Sequence, residues 1–354
     1  MAIFGMLGCL ITVFLNAIVP CLALRSLWRG TTKVRWTVVL LMSFMLAHVG
    51  VSIGYHRYFS HRSFSVSAPG KWFLATLGTL TLQGSPMYWA AQHRLHHRYC
   101  EVEGDPHSPK GGFFGFLHAH GGFLTGLTGD TIDQHPEFSM RVVSDLASDP
   151  DLAILASWPL GAVYPALVMF GTPLVGYCLF GFGPMLWHLH MPQFLAWHAT
   201  LTVNSATHTF GYARRPLPGG EDIDVNVYGG VSIGARAACH ARNVPWLWPA
   251  LLGEAWHANH HADPGLVSME GAWWEVDPQS ILLVLLARCR LVWDLRLPPP
   301  RRALAGPEGG GKAVAQMLAP PLLIAWAVRQ CIAWQERRAG RCAGGSGRGA
   351  KKEE

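Results

Sequence analysis

Charge is scarce in this chain. Asp, Glu, Lys and Arg make up 14% of its 354 residues, against roughly 25% in average soluble proteins, which disfavours a water-soluble enzyme. From Leu152 to Ala213 there is no charged residue, and Ala2 to Leu24 has none either. The eight cysteines contain no CxxC pair, which argues against a disulfide scaffold and against a zinc ribbon. The net charge of +6 is not gathered into a stripe, so no nucleic-acid partner is expected. Basic residues lie near the histidine clusters and at the C-terminus, which suits an anionic membrane surface or head group. No internal repeat is evident.

What the chain does have is hydrophobic length. Half of its residues are hydrophobic, and a bilayer-spanning helix needs about 20 of them in a row. Four spans are expected, at about 2–24, 36–55, 152–171 and 174–203, the last two parted near Gly171-Thr172-Pro173. The first is too long for the core of a signal peptide and lacks a basic start. Trp72 to Gln92 is apolar too, but a crossing there would put His56 and His61 on the opposite face from His93. Its interior Gln83-Gly84-Ser85-Pro86 suits a bent, non-spanning helix. Four spans place every histidine cluster on the side that holds both termini. Arg25, Arg29, Lys33 and Arg35 in the first loop pull the other way, because basic loops favour the cytoplasm. Residues 298–354 read as a Pro/Gly linker, an interfacial helix at 313–334 and a disordered charged tail.

Histidine is the over-used residue, 18 in all. Three clusters stand out: His56-Arg57-Tyr58-Phe59-Ser60-His61, His93-Arg94-Leu95-His96-His97 and His257-Ala258-Asn259-His260-His261. On a helix, positions i, i+3 and i+4 share one face, so each HxxHH cluster points three imidazoles at one place. Any one of these histidines could be an ordinary polar surface residue. Eight at ligand spacing beside apolar runs indicate a metal site, and imidazole suits iron, zinc, copper and nickel. His48, in mid-span, reads as structural, and His107 as organising its loop. His118, His120, His135, His188, His190, His198 and His240 lack a partner at ligand spacing. Trp89, Trp187, Trp197 and Trp256 could line an apolar tunnel or sit at the membrane interface.

With these clusters the chain resembles the membrane fatty acyl desaturases, in particular their Δ9-type branch from bacteria, cyanobacteria and plants. Further matching elements are Asp105-Pro106-His107-Ser108-Pro109, Asn204-Ser205-Ala206-Thr207-His208 and Gly253-Glu254-Ala255-Trp256-His257. The resemblance runs from about residue 36 to 297. It implies an all-α integral membrane fold in which four transmembrane helices carry a cytosolic helical cap, 56–151 and 204–297, with a di-iron histidine site. It also implies that His56, His61, His93, His96, His97, His208, His257, His260 and His261 bind two iron ions (Fe²⁺), with Asn204 holding one through a water. The family's third cluster usually has Asn where Ala258 stands, which bears on a supporting hydrogen bond rather than on a ligand. The animal acyl-CoA branch has Arg-Asp where Ala91 and Gln92 stand, which leaves the acyl carrier open.

The implied reaction puts a cis double bond, expected at Δ9, into a saturated fatty acyl-CoA or acyl-lipid. Hydrogen removal from an unactivated methylene needs a redox cofactor, and zinc has no redox chemistry. The other reactants are O₂ and two electrons from a separate cytochrome b5 or ferredoxin, since neither a His-Pro-Gly-Gly motif nor a ferredoxin cysteine set is present. Alternatives are a related di-iron hydroxylase, epoxidase or alkane monooxygenase, and a non-catalytic metal-binding membrane protein. The terminal Lys351-Lys352-Glu353-Glu354 matches a retrieval signal of the endoplasmic reticulum membrane; a bacterial inner membrane is the other expected location.

Overall fold

The computed structural model describes residues 2–125, 135–213, 239–298 and Met317. Apart from Met317, the linker, interfacial helix, tail and dilysine expected after residue 298 lie outside the described residues.

Away from water, backbone groups must be satisfied within their own segment, and the uncharged runs accordingly become helices. The first, α1, runs without a break through Ala2–Val13, Phe14–Ile18 and Val19–Arg29. Gly30, with φ of 63°, closes it with a left-handed cap. The second, α2, covers Trp36–Ser60, 25 residues, or about 37 Å at 1.5 Å per residue. That exceeds the roughly 30 Å of a bilayer's hydrocarbon core.

Next come α3, Ala68–Leu80, and α4, Pro86–Tyr99. With 13 residues, α3 is about 20 Å long, too short to cross. The chain then turns through Gly84, at φ of 91°, and the Ser85 hydroxyl caps α4 by accepting the Tyr88 N–H at 3.2 Å. The stretch 72–92 is therefore bent, as expected. Glycine lets α3 close on α2: a Cβ on Gly78 would sit 2.2 Å from the Tyr55 ring, and one on Gly50 would sit 2.9 Å from the Leu77 carbonyl.

The third long helix, α5, is Leu160–Phe180. The expected break at Gly171-Thr172-Pro173 is not there. The helix continues through it and ends at Gly181, with φ 78° and ψ 176°. A π-helical turn at Leu167–Gly171 lies just before Pro173 and makes room for a ring that would otherwise clash with the carbonyl four residues back. Gly181 adopts a backbone conformation that glycine reaches without strain. Residues 153–156 form a separate short turn of helix rather than the start of this span.

After Gly181, α6 runs on through Phe182–Met185, Leu186–His190 and Met191–Ala206. Among the described residues beyond it are a single helical turn at Trp248–Leu251 and the helices α7, His257–Ala262, and α8, Pro278–Arg288. Beyond α8, Val292–Trp293 pairs antiparallel with Ser65–Val66, tying the end of this region to the turn after α2.

Among the described residues three helices are long and apolar enough to cross a membrane: Gly8–Arg29 within α1, α2 and α5. Their outer faces keep Leu10, Leu24, Leu40, Leu41, Leu167 and Leu174 exposed. An apolar band of that kind belongs against lipid rather than water. One buried core lies where α2, α3 and α4 meet, around Tyr55, Phe59, Leu74 and Ala90.

Candidate metal centre

The last turns of α2 deliver His56, and His61 sits at its C-cap. The i, i+3, i+4 spacing places His93, His96 and His97 on one side of α4, and His257, His260 and His261 do the same on α7. His208 lies just beyond the end of α6. These nine imidazoles separate into two groups. His56, His61, His93, His97 and His260 form one; His96, His208, His257 and His261 form the other. Within each, one nitrogen per ring lies within 4.8 Å of all the others.

The contacts are Nε2 to Nε2. His61 meets His93 at 2.8 Å, His56 meets His260 at 2.9 Å, and His97 meets both His93 and His260 at 3.0 Å. In the second group His257 lies 3.1 Å from His208 and 3.0 Å from His261. Ligands at right angles on a divalent ion with bonds of about 2.1 Å are about 3.0 Å apart, so these separations suit nitrogens that share an ion.

The outer ring nitrogens show which inner nitrogens carry lone pairs. His56 Nδ1 lies 2.9 Å from Glu254, His96 Nδ1 2.9 Å from Asp105, and His208 Nδ1 3.0 Å from Glu101. A carboxylate that accepts Nδ1–H leaves Nε2 unprotonated and aimed inward, the usual support for a metal-bound histidine. Among the described residues His96 Nε2 is buried without a hydrogen-bond partner. Burial, reinforced by neighbouring imidazoles, holds His93, His96, His97, His257, His260 and His261 well below the usual histidine range. Neutral imidazole is the form that binds metal. The residues present therefore fit two metal ions.

The supports were not assigned from sequence. Burial raises the Glu254 carboxyl, but the attraction of His56 and Arg57 outweighs it and holds the group at about 2. Arg57, in the first cluster, is only 1% exposed. It donates to Glu254 at 3.0 Å, Asp277 at 2.8 Å and the Val267 carbonyl at 3.0 Å; Ser52 also donates to Glu254. Arg94, in the second cluster, grips Asp145 with both terminal nitrogens and donates to the Ser60 and Phe59 carbonyls. Arg94 fastens α4 to the end of α2, and Arg57 ties α2 to the segments on either side of α7. His240 supports Glu101 at 3.0 Å, and His107 stacks on His96 with ring centroids 4.2 Å apart. A carboxylate next to a histidine cluster is conspicuous in so charge-poor a chain, and Glu101 and Glu254 could have been found by that signal.

Cys100 and Cys239 form a disulfide across 139 residues, where the sequence suggested no pairing. Tertiary proximity brings them together, with Cys239 Sγ 3.3 Å from His261 Nδ1. Ala258 is buried, and its N–H donates to Asn243 at 3.0 Å. Among the described residues no partner reaches His257 Nδ1 or His260 Nδ1.

A narrow cavity of about 40 Å³ adjoins the histidines, room for a few water-sized groups. His56, His93 and His257 meet Ala47, Val51 and Val203 there, and Asn204, four residues before His208, also lines it. Trp89 lines it too, whereas Trp187 and Trp197 pack in a separate core and Trp256 in another. Trp89 Nε1 donates to Gln83 Oε1 at 3.1 Å, and Gln83 Nε2 donates to Thr200 Oγ1 at 3.1 Å. This polar chain joins the turn before α4 to α6 across the cavity wall. His48, on the wall as well, lies 3.2 Å from Gln279.

Helices fit for a membrane, beside two buried polyhistidine groups able to hold metal, mark a protein of the membrane metalloprotein class. The fatty acid desaturase family model matches residues 35–269, and the chain belongs to that family. It is 30% identical over 274 residues to the hex-5-enoyl-[acyl-carrier protein] acetylenase of Moorena producens, covering 73% of this chain and 76% of that one. It is 29% identical over 300 residues to the sn-2 palmitoyl-lipid 9-desaturase of Nostoc sp. (strain 36), covering 84% and 93%. It is 30% identical over 260 residues to the sn-1 stearoyl-lipid 9-desaturase of Anabaena variabilis, covering 73% and 83%. The protein is thus an oxidoreductase of lipid metabolism, from a metal-dependent, membrane-bound family that desaturates fatty acyl chains.

Proposed function

We propose that this protein puts a cis double bond at Δ9 of a saturated fatty acyl chain, using two iron ions, O₂ and two electrons from a separate cytochrome b5 or ferredoxin. The observation that carries the reading is the convergence of nine histidines into a five-membered and a four-membered group beside one apolar cavity. The first group and the second, with Asn204 near the latter through a water, would each hold one ion. Two redox ions supply what no side chain has, a means of using O₂ and two electrons to take two hydrogens from an unactivated pair of methylenes. The balance is one alkane segment, O₂, two electrons and two protons giving one alkene and two waters.

The protein's own part is positioning. The narrow walls at Ala47, Val51 and Val203 admit a methylene chain, and the Trp89–Gln83–Thr200 chain fixes its course past His56 and His257. Which carbons react then follows from where the acyl head group stops. An acyl-lipid is the preferred carrier, with acyl-CoA the other. The lipid relatives point that way, and Ala91 and Gln92 are buried where the animal acyl-CoA branch carries Arg-Asp.

Four spans are proposed, with α6 as the fourth. Its His188, His190, Gln193 and His198 dilute its apolar character, yet it matches α2 in length. The histidine-bearing side is proposed to face the cytosol. Expression in a yeast that lacks its own Δ9 desaturase, with His260→Ala beside it, tests the reaction. New monounsaturated acids, absent from the variant, are expected. Hydroxy acids would instead make the protein an oxygenase, and full activity in His260→Ala would sink the assignment.

A further inference from the structure

At the opposite end of the long helices a cleft of about 1150 Å³ opens between the end of α1, the 30–35 connection, the start of α2 and the α5–α6 turn. Arg25, Arg29, Lys33 and Arg35 line it, and all four are exposed. Every lining residue comes from 22–38 or 179–188. No Asp or Glu occurs anywhere in residues 1–100 or 152–213, so the cleft has no carboxylate of its own. Among the described residues none of the four cations is in an ion pair. The sequence left this basic loop unexplained, since its charge argues against the orientation that the histidine clusters favour.

The rest of the wall is apolar. Leu179 is 69% exposed, Phe180 65% and Phe182 54%. Uncompensated cations above exposed aromatic and aliphatic side chains, at the end of three helices fit to cross a bilayer, match one kind of ligand. That ligand has a phosphate for the guanidiniums and acyl tails for the apolar side. His188 Nε2 accepts the Arg35 backbone N–H at 3.3 Å, and the exposed Arg35 lines the cleft beside it.

We propose that this cleft binds the head group of an anionic phospholipid in the leaflet opposite the histidine site. The inference rests on the membrane reading given under Proposed function, but not on the reaction. An anionic head group fills the cleft, relieves the mutual repulsion of four cations and holds the α1–α2 and α5–α6 connections together. It also gives the basic loop a role that does not depend on the positive-inside rule.

The test uses the full chain, purified in neutral detergent. Phosphatidylglycerol and phosphatidylcholine with the same acyl chains are titrated in and retained lipid is counted by native mass spectrometry. One phosphatidylglycerol per chain is expected, retained at least about tenfold better than phosphatidylcholine. A variant with Arg25→Gln, Arg29→Gln, Lys33→Gln and Arg35→Gln should lose that preference, while one with Arg25→Lys, Arg29→Lys and Arg35→Lys should keep most of it. Thermal midpoint and metal content, followed in parallel, show that the variants fold; if the quadruple variant does not, Arg29→Gln with Arg35→Gln takes its place and should halve the preference or more. Equal retention of the two lipids, or an unchanged preference in a folded neutral variant, overturns the proposal. So does displacement of the lipid by millimolar inorganic phosphate, which would assign the cleft to a soluble anion. Loss of desaturation with lipid retention intact would count against the reaction and leave this site standing.

Discussion

His56 and Glu254, 198 positions apart, meet through a 2.9 Å contact between ring Nδ1 and carboxylate, both side chains buried. The contact sets the tautomer of a histidine that belongs to the five-membered group, and Arg57 and Ser52 hold the carboxylate in turn. Replacing Glu254 with Ala should weaken metal retention by about 10- to 100-fold, the usual cost of losing such a support. Glu254→Gln, whose amide oxygen still accepts from Nδ1–H, should lose less. Metal per chain by mass spectrometry after dialysis against a mild chelator measures this, and equal retention in all three proteins would refute it.

The five-and-four partition predicts unequal losses. His260→Ala removes a nitrogen from the first group only, and His208→Ala one from the second only. Each variant should bind about one ion per chain where the parent binds about two, with both inactive. Each should also leave the helix content unchanged, because the ligands sit at helix ends. Loss of both ions from either variant would show that the groups are one cooperative site.

The Trp89–Gln83–Thr200 chain predicts an effect on position rather than on chemistry. Thr200→Val keeps the volume and removes the hydroxyl that Gln83 donates to. A net hydrogen bond is worth about 1 kcal/mol, so turnover should fall roughly five-fold and the double bond should appear at more than one carbon. Chromatography of positional isomers reads both, and a single unchanged isomer at full rate would dismiss the network.

Acid should destabilise the metal-free protein. Burial lowers the pKa of His93, His96, His97, His257, His260 and His261 in the folded chain. The unfolded chain takes up those protons near pH 6.5 while the folded one does not, so the unfolded state binds more protons as pH drops. Stability is complete above about 6.5 and declines below it, by up to about 1.4 kcal/mol per pH unit for each histidine. The thermal midpoint of chelator-treated protein should therefore fall steadily from pH 7 to pH 5. A flat profile would mean that these rings are solvated in the metal-free state.

The Cys100–Cys239 link predicts a sensitivity to reductant. Cross-links of this kind typically contribute about 2–4 kcal/mol. Cys239→Ser, or treatment with a dithiol, should lower the thermal midpoint. It should also loosen metal in the group that contains His261, whose Nδ1 lies 3.3 Å from the Cys239 sulfur. An unchanged midpoint after full reduction, verified by thiol labelling, would show that the link carries no stability.

Much of the site was legible because its ligands repeat at local spacing. HxxHH on a helix fixes three imidazole directions from sequence alone, and the apolar runs fix where helices must form. The supports were less legible. Glu101 and Asp105 lie close to the second cluster and Glu254 close to the third, but which ring each carboxylate meets depends on how α4, α6 and α7 approach one another. The break at Gly181 was missed because a π-helical turn, a feature of main-chain geometry, absorbed the proline that seemed to end the helix.

The sequence by itself determined that the protein is built from apolar helices with a polyhistidine metal site, because helix period and bilayer thickness act on neighbouring residues. Only the tertiary structure decided how nine histidines divide into five and four, that two distant cysteines join, and that four cations at the end of α1 and in the connection after it share a cleft with no acid. Those relations depend on segments far apart in the chain, and packing alone brings such segments together.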